Sequence, residues 1–157
     1  MDPMKEIREI EGVIVQPLKQ ITDQRGSVLH MLRNDWSHFK TFGEIYFSEI
    51  NPGVVKAWKQ HKEQVQNLAV PIGKIRLVIF DDRPQSHTRG SIVEYRVGRP
   101  DDYNLIQIPP GLWYGFQALN NETSLIANCP DKPHDPAEAE SLPQDSDKIP
   151  YHWGPAK

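Results

Sequence analysis

Three ionisable side chains stand in two short segments of this chain. Lys59 and His61 lie in the segment 53–73, and Tyr114 lies in the segment 108–116. Alternate residues of a β-strand point to the same face, so Lys59 and His61 are predicted to share one. A lysine shielded from water favours its charged form less, histidine titrates near neutral pH, and a phenol can donate a proton. Together these residue types indicate proton-transfer chemistry.

Each residue also has a simpler interpretation. Lys59 can extend to the mouth of a cavity and bind a phosphate, or contact only water. His61 can line the barrel interior with its ring nitrogens hydrogen-bonded to neighbouring groups. Tyr114 can be part of the cavity wall, with its hydroxyl hydrogen-bonded to water. Gln66 is neutral and can only orient a ligand by hydrogen bonding. Local sequence leaves both interpretations open.

The two segments resemble the two signature motifs of the cupin β-barrel. In cupins that bind a metal, the ligand positions correspond to Lys59, His61, Gln66 and Tyr114 of this chain, so a single histidine of the pattern is retained. A divalent metal site needs about three or four converging N, O or S donors, and a lysine ammonium repels the ion. We therefore expect a barrel that binds an organic substrate with no metal and no other cofactor.

The remaining sequence predicts an all-β cupin jelly-roll β-barrel. Short β-branched runs are separated by Gly, Pro and Asn turns, a pattern typical of sandwiches and barrels. The 14 prolines oppose long helices, and one short helix is predicted over 37–41. The predicted strands cover residues 12–16, 27–32, 43–50, 54–58, 67–71, 75–80, 92–97, 105–108 and 123–128.

Length and composition predict one domain over residues 1–157, with an irregular tail from about 130 that folds back through Tyr151 and Trp153. A net charge of −3 with mixed signs gives no electrostatic case for nucleic acid, and no apolar run reaches the roughly 20 residues of a membrane span. Cys129 is the single cysteine and no secretory signal is evident, so we expect a cytoplasmic location.

Four motifs, in the correct order, are similar to those of the dTDP-4-dehydrorhamnose 3,5-epimerase family, metal-independent cupins that act on 4-keto deoxysugar nucleotides. The resemblance implies a sugar-nucleotide epimerase or isomerase of deoxysugar or cell-surface polysaccharide biosynthesis, acting on a 4-keto-6-deoxyhexose nucleotide by proton abstraction beside the ketone. The matching residues are Asp23-x-Arg25-Gly26, Gly53-Val54-Val55-Lys56-Ala57, Asp81-x-Arg83-x-x-Ser86-x-Thr88-x-Gly90 and Ile108-Pro109-x-Gly111-x-x-x-Gly115-Phe116.

The family's catalytic positions carry different residues here. By the resemblance, its base histidine corresponds to Lys59, its enolate-side lysine to Gln66, its turn histidine to Tyr114 and its catalytic tyrosine to Ala127, and its orienting aspartate is expected to be absent. Two functions stay open. Lys59, His61 and Tyr114 can replace the family's acid and base groups, or the protein can be a non-catalytic cupin that binds a sugar nucleotide or a similar small ligand. A metal-dependent dioxygenase is a third candidate, for which a single ligand position is retained.

Arg25 and Lys56 are predicted to bind the sugar nucleotide rather than to take part in catalysis. The resemblance places Arg25 at the nucleotide diphosphate, where a guanidinium fork suits phosphate oxygens, and implies a homodimer with exchanged N-terminal strands. The alternative for Arg25 is an exposed turn residue. Lys56 keeps a positive charge, but on strict alternation it faces away from Lys59. Asp81 and Arg83 are expected to close a turn.

Overall fold

A computed structural model describes residues 9–157 and consists almost entirely of β-strands. The strands run in short antiparallel segments joined by turns, with one 3-10 turn at Pro136–Glu138. They are β1 (Ile14–Pro17), β2 (Gln20–Asp23), β3 (Gly26–Leu29), β4 (Tyr46–Ile50), β5 (Val55–His61), β6 (Gln66–Ile72), β7 (Lys74–Asp81), β8 (Ile92–Gly98), β9 (Asn104–Ile108), β10 (Leu112–Ala118), β11 (Ser124–Asn128) and β12 (Ala139–Ser141).

Two five-stranded antiparallel sheets face each other. The first sheet has the order β1-β9-β6-β11-β4, the second has the order β12-β5-β10-β7-β8, and β2 and β3 form a separate hairpin. Sequence neighbours repeatedly belong to opposite sheets, as β4 and β5 do, which is the crossing pattern of a jelly roll. This confirms the predicted cupin jelly-roll fold, although the two sheets do not close into a continuous barrel.

Alternating apolar residues fill the space between the sheets. Ile75, Leu77 and Ile79 of β7 meet Leu68 of β6 and Ile106 of β9 in one buried cluster. Since each strand sends every second side chain inward, this pattern fixes which face of each strand is internal. On the outer face of β7, Val78 and Phe80 are apolar as well, because the C-terminal segment covers this part of the second sheet.

That covering is an aromatic cluster. Trp58 on β5 lies with ring centroids 5.9 Å from Tyr151 and 5.3 Å from Trp153, and it packs with Val78 and Ile149. The predicted return of the tail through Tyr151 and Trp153 is therefore confirmed. The segment after Pro130 is irregular over 142–157 but also supplies the 3-10 turn and β12, so it contributes to the second sheet.

The nine predicted strands are present, with ends shifted by a few residues, but the predicted helix over 37–41 is wrong. Residues 37 and 38 form a turn and 39–41 have no regular structure. The carbonyl of His38 accepts a hydrogen bond from Gln107 Nε2 at 2.8 Å, and the His38 ring contacts Gln16 Oε1 at 3.2 Å. These tertiary hydrogen bonds hold the segment against β1 and β9 in place of helical pairing.

The turn after β7 is organised by a buried carboxylate. Asp81 accepts hydrogen bonds from Arg83 Nε at 3.0 Å and Thr88 Oγ1 at 2.6 Å, and also from the Ser86 hydroxyl. Burial opposes ionisation of Asp81, but these hydrogen bonds outweigh it and hold its pKa well below the ordinary value. The Asp-x-Arg-x-x-Ser-x-Thr motif is thus a structural turn, as expected for Asp81 and Arg83.

Candidate active site

A cavity of about 390 Å³ opens between the two sheets, where β4, β6 and β11 face β5 and β10. Its lining combines apolar side chains with a few amines, hydroxyls and amides, the composition of a small-molecule site. The lining residues are Tyr46, Ser48, Lys56, Ala57, Trp58, Lys59, Leu68, Tyr114, Phe116, Ile126, Asn128, Ser141 and Leu142.

An irregularity in β5 brings both lysines to this cavity. Tyr114 of β10 pairs with Lys59, but the next residue, Gly115, pairs with Ala57, so β5 holds one extra residue at this point. A Cβ on Gly115 would lie 2.4 Å from the Ala57 Cβ, so only glycine permits this approach. The bulge reverses the alternation, and Lys56 lines the cavity with Lys59. The expectation that Lys56 faces away is therefore wrong.

His61 lies behind Tyr114 in a buried chain of side chains. The Nδ1 atom of His61 is 2.6 Å from Glu138 Oε1, and its Nε2 atom is 3.2 Å from the Tyr114 hydroxyl. The exposed fractions of His61, Tyr114 and Glu138 are 8%, 7% and 8%. Tyr114 alone of the three lines the cavity, so the chain runs from a carboxylate in the protein interior to a phenol at the cavity wall.

Glu138 is held as a carboxylate. Its Oε2 accepts the backbone N–H groups of Glu63 at 2.9 Å and Gln64 at 2.8 Å. Burial raises its pKa, but the hydrogen bonds from the Glu63 amide, His61 and the Gln64 amide have the larger combined effect, and the pKa lies below its ordinary value. A carboxylate cannot donate, so Nδ1 of His61 carries the proton. In the neutral ring Nε2 then accepts, and the Tyr114 hydroxyl donates to it.

Tyr114 is uncharged in this setting. Burial raises the pKa of the phenol far above the ordinary value, with smaller contributions from Tyr46 and Glu138. The phenol therefore keeps its proton until a partner can accept it, and His61 is that partner. The predicted residues His61 and Tyr114 are thus brought together, and Lys59 sits directly across from Tyr114 on the neighbouring strand.

Gln66 does not line the cavity but supports a residue that does. Its Oε1 accepts from Asn128 Nδ2 at 2.7 Å, and its Nε2 donates to Gln64 Oε1 at 3.2 Å. Asn128 Nδ2 also donates to the Tyr46 hydroxyl at 2.8 Å. The position that the resemblance assigned to an enolate-side lysine is therefore occupied by a buried amide two hydrogen bonds away from the Tyr46 phenol.

Arg25 lies away from this cavity in the described chain. It stands at the turn of the β2–β3 hairpin, where its NH2 group is 2.7 Å from Asp23 Oδ2, and 84% of its side chain is exposed. Ala127 lies between the lining residues Ile126 and Asn128 on β11, so it points to the opposite face of the sheet. Neither residue contributes to the cavity walls within residues 9–157.

Sequence reasoning missed Glu138 and Tyr46. Glu138 belongs to the tail that was expected to be irregular and to lack an orienting acid. A local signal does exist: Asp135 caps the 3-10 turn by accepting from the Ala137 N–H at 3.0 Å, Pro136 follows, and an acid ends the turn. No local signal marks Tyr46, because its role depends on which sheet faces it.

Within residues 9–157, no group of three or more His, Cys, Asp or Glu side chains converges as a metal site would require. The same residues contain no helix of the length and apolarity that crossing a membrane demands.

Comparison with known proteins places the chain in a family. Residues 8–157 match the family model of dTDP-4-dehydrorhamnose 3,5-epimerase. The chain is 36% identical over 144 residues to the probable low-salt glycan biosynthesis epimerase Agl13 of Haloferax volcanii, a match that spans 90% of this chain and 88% of that protein. It is 31% identical over 151 residues to the spore coat polysaccharide biosynthesis protein SpsL of Bacillus subtilis, spanning 92% and 96% of the two chains.

A solved structure agrees with these relatives. The dTDP sugar isomerase from Desulfovibrio desulfuricans G20 superposes with a TM-score of 0.90 at 49% identity, and the match covers 92% of each chain. The four motifs, the jelly roll and the matched family model lead to the same conclusion: this chain belongs to the dTDP-4-dehydrorhamnose 3,5-epimerase family of sugar-nucleotide epimerases.

Proposed function

We propose that this protein is a metal-independent sugar-nucleotide epimerase or isomerase that acts on a 4-keto-6-deoxyhexose nucleotide in deoxysugar or cell-surface polysaccharide biosynthesis. The observation that carries the proposal is the chain from Glu138 through His61 to Tyr114, which ends at a cavity that Lys59 also lines. The matched family model and the names of the relatives in glycan and spore coat polysaccharide biosynthesis support the substrate class.

The chemistry begins with a proton on a carbon beside the ketone. The C–H bond breaks, its electron pair passes into the enolate, and the proton goes to the Tyr114 oxygen as the Tyr114 proton moves to His61 Nε2. The Glu138 carboxylate at Nδ1 stabilises the imidazolium that results. Lys59, across from Tyr114, supplies positive charge or a proton to the enolate oxygen.

Lys56 and Gln66 have supporting roles in this proposal. Lys56 lines the same wall as Lys59 and donates to the Glu49 carbonyl at 2.7 Å, which leaves further N–H groups of its ammonium to face an anionic ligand. Gln66 orients Asn128 from behind the cavity. Substrate binding is therefore assigned to Lys56 directly and to Gln66 through its neighbour.

We further propose a homodimer in which Arg25 binds the nucleotide phosphates held by the other subunit. The β2–β3 hairpin belongs to neither five-stranded sheet and exposes Ile21 and Val28 at 57% and 60%. Exposed apolar groups beside an extended guanidinium suit a hairpin that packs on a second copy. The proposed location is the cytoplasm, where the buried free thiol of Cys129 stays reduced.

Solvent exchange tests the proposed function. We expect the purified protein, incubated in D2O with dTDP-4-keto-6-deoxyglucose, to introduce deuterium at a carbon flanking the ketone, as detected by NMR and mass spectrometry. Tyr114→Phe should abolish this exchange while the protein still binds the nucleotide. Binding by the wild type without exchange would contradict the enzyme proposal for this sugar and favour a non-catalytic cupin that holds a sugar nucleotide.

A further inference from the structure

The two walls of the cavity come from different sheets and carry different chemistry. β5 and β10 of the second sheet supply Lys56, Lys59 and Tyr114. The first sheet supplies Ser48, Leu68, Ile126, Asn128 and Tyr46. Among the residues of the described chain, 9–157, that form this wall, Tyr46 is the single one with a titratable side chain. One ring face of a sugar held between the sheets therefore faces the two lysine amines and the Tyr114 phenol, which is hydrogen-bonded to His61. The other ring face meets the Tyr46 phenol.

The Tyr46 hydroxyl is oriented as a donor toward the cavity. Asn128 pairs with Tyr46 across β11 and β4, and its Nδ2 donates to the Tyr46 oxygen at 2.8 Å. The orientation of the Asn128 amide follows from its other contacts, because its Oδ1 accepts the Asn67 N–H at 3.3 Å and its Nδ2 also donates to Gln66 Oε1. Since the Tyr46 oxygen already accepts, its own proton is available to a ligand.

The Tyr46 phenol is protonated at neutral pH, and the residue is also accessible to water. Burial raises the pKa of its phenol above the ordinary value, so the hydroxyl holds its proton at neutral pH. Even so, 39% of the residue is exposed, unlike Tyr114 at 7%. A phenol of this kind can give up a proton within the cavity and recover one from solvent.

We propose that Tyr46 is the acid that returns a proton to the ring face opposite the one from which Tyr114 removes it, so that Tyr46 determines inversion. This inference rests on the proposed function. The enolate carbon takes the Tyr46 proton and the ketone is restored, which leaves a phenolate that recovers a proton from solvent. His61 releases the proton it received, so one solvent hydrogen enters at each inverted carbon and charge balances over the cycle.

Tyr46→Phe separates inversion from deprotonation. With dTDP-4-keto-6-deoxyglucose in D2O, we expect the variant to form epimerised product at least ~10²-fold more slowly than the wild type. Deuterium should still enter the recovered, uninverted sugar at about the wild-type rate, because the opposite wall can remove a proton and return one from the same side. Binding of the nucleotide should be unchanged by calorimetry. The substitution deletes one oxygen atom, and the thermal unfolding midpoint verifies the fold.

Tyr95→Phe is the matched control, because Tyr95 lies on β8 outside the cavity lining, and it should invert the sugar as the wild type does. Undiminished inversion by Tyr46→Phe would overturn the proposal. If Tyr46→Phe lost deuterium exchange and inversion to the same extent, the proposal would also be overturned. Tyr46 would then be needed for proton removal as well as for proton return at the opposite ring face. Absence of exchange in the wild type would instead refute the proposed function, and this inference with it.

Discussion

His61 and Glu138 are joined by a contact of 2.6 Å between Nδ1 and Oε1, although 77 residues separate them in the chain. The contact forms because β12 adds to the edge of β5, with Ala139 opposite His61. Glu138, directly before β12, is thereby set against the imidazole. The C-terminal segment thus supplies the acid that orients a histidine in the middle of the chain.

Glu138→Gln should slow proton transfer by about 10²-fold or more and leave nucleotide affinity nearly unchanged. A glutamine amide can donate to Nδ1, which would place the ring proton on Nε2 and prevent Tyr114 from donating there. The measurement is the deuterium exchange rate at saturating sugar nucleotide, beside the dissociation constant. Glu138→Asp should recover part of the rate. A parallel loss of binding and rate would indicate a purely structural role.

Lys59→Met should abolish exchange, with a loss of at least ~10²-fold, because the amine that faces Tyr114 across β5 and β10 is removed while the apolar stem is kept. Binding should fall much less. Lys62→Met is a suitable control, since Lys62 is exposed and lies 3.6 Å from Glu140. If Lys59→Met exchanged at the wild-type rate, the proton-transfer role would belong to His61 and Tyr114 alone.

Arg25→Ala should weaken sugar-nucleotide binding by about tenfold without changing the fold, because a guanidinium on a phosphate makes charged hydrogen bonds. Arg33→Ala is the matched control, because Arg33, like Arg25, is paired with an aspartate two residues away in the chain. Calorimetry gives the affinities, and sedimentation of the wild type tests the dimer that this role needs. Unchanged affinity would place Arg25 outside the site.

Asp81→Asn should destabilise the protein at neutral pH, and the difference in stability from the wild type should shrink in acid. The folded pKa of Asp81 is depressed, so its contribution is present above the pKa of an unfolded aspartate and disappears as the pH falls below about 4 toward the folded value. We expect a deficit of about 2 kcal/mol in the free energy of unfolding at pH 7, shrinking toward pH 3. Urea titrations measure it, with the exposed Asp82→Asn as control. A deficit independent of pH would contradict this account.

Elemental analysis of the purified protein should find no stoichiometric zinc, iron or manganese. The reason is that Lys59, Gln66 and Tyr114 stand where metal-binding cupins carry ligands, and His61 is already engaged by Glu138 and Tyr114. About one metal per chain, removed by a chelator with loss of activity, would show this prediction to be wrong.

Local spacing was sufficient for nine of the twelve strands, since alternation of apolar and polar residues is a property of neighbouring positions, but it did not predict β2, β10 or β12. It also placed Lys59 and His61 on one face, and the four ordered motifs were sufficient for the family. The helix over 37–41 failed for the complementary reason: the carbonyl of His38 is taken by Gln107, 69 residues away, and no local pattern reports such a partner.

The sequence by itself determined the all-β fold, the shared face of Lys59 and His61, and the replacement of metal ligands, because each depends on residue type at a fixed local spacing. Only the tertiary structure decided how the site is assembled. The register shift between β5 and β10, which Gly115 permits beside Ala57, turns Lys56 inward. β12 carries Glu138 to His61, and the facing sheet presents Tyr46. These relationships arise from pairing between distant strands, where a shift of one residue moves a side chain to the other face.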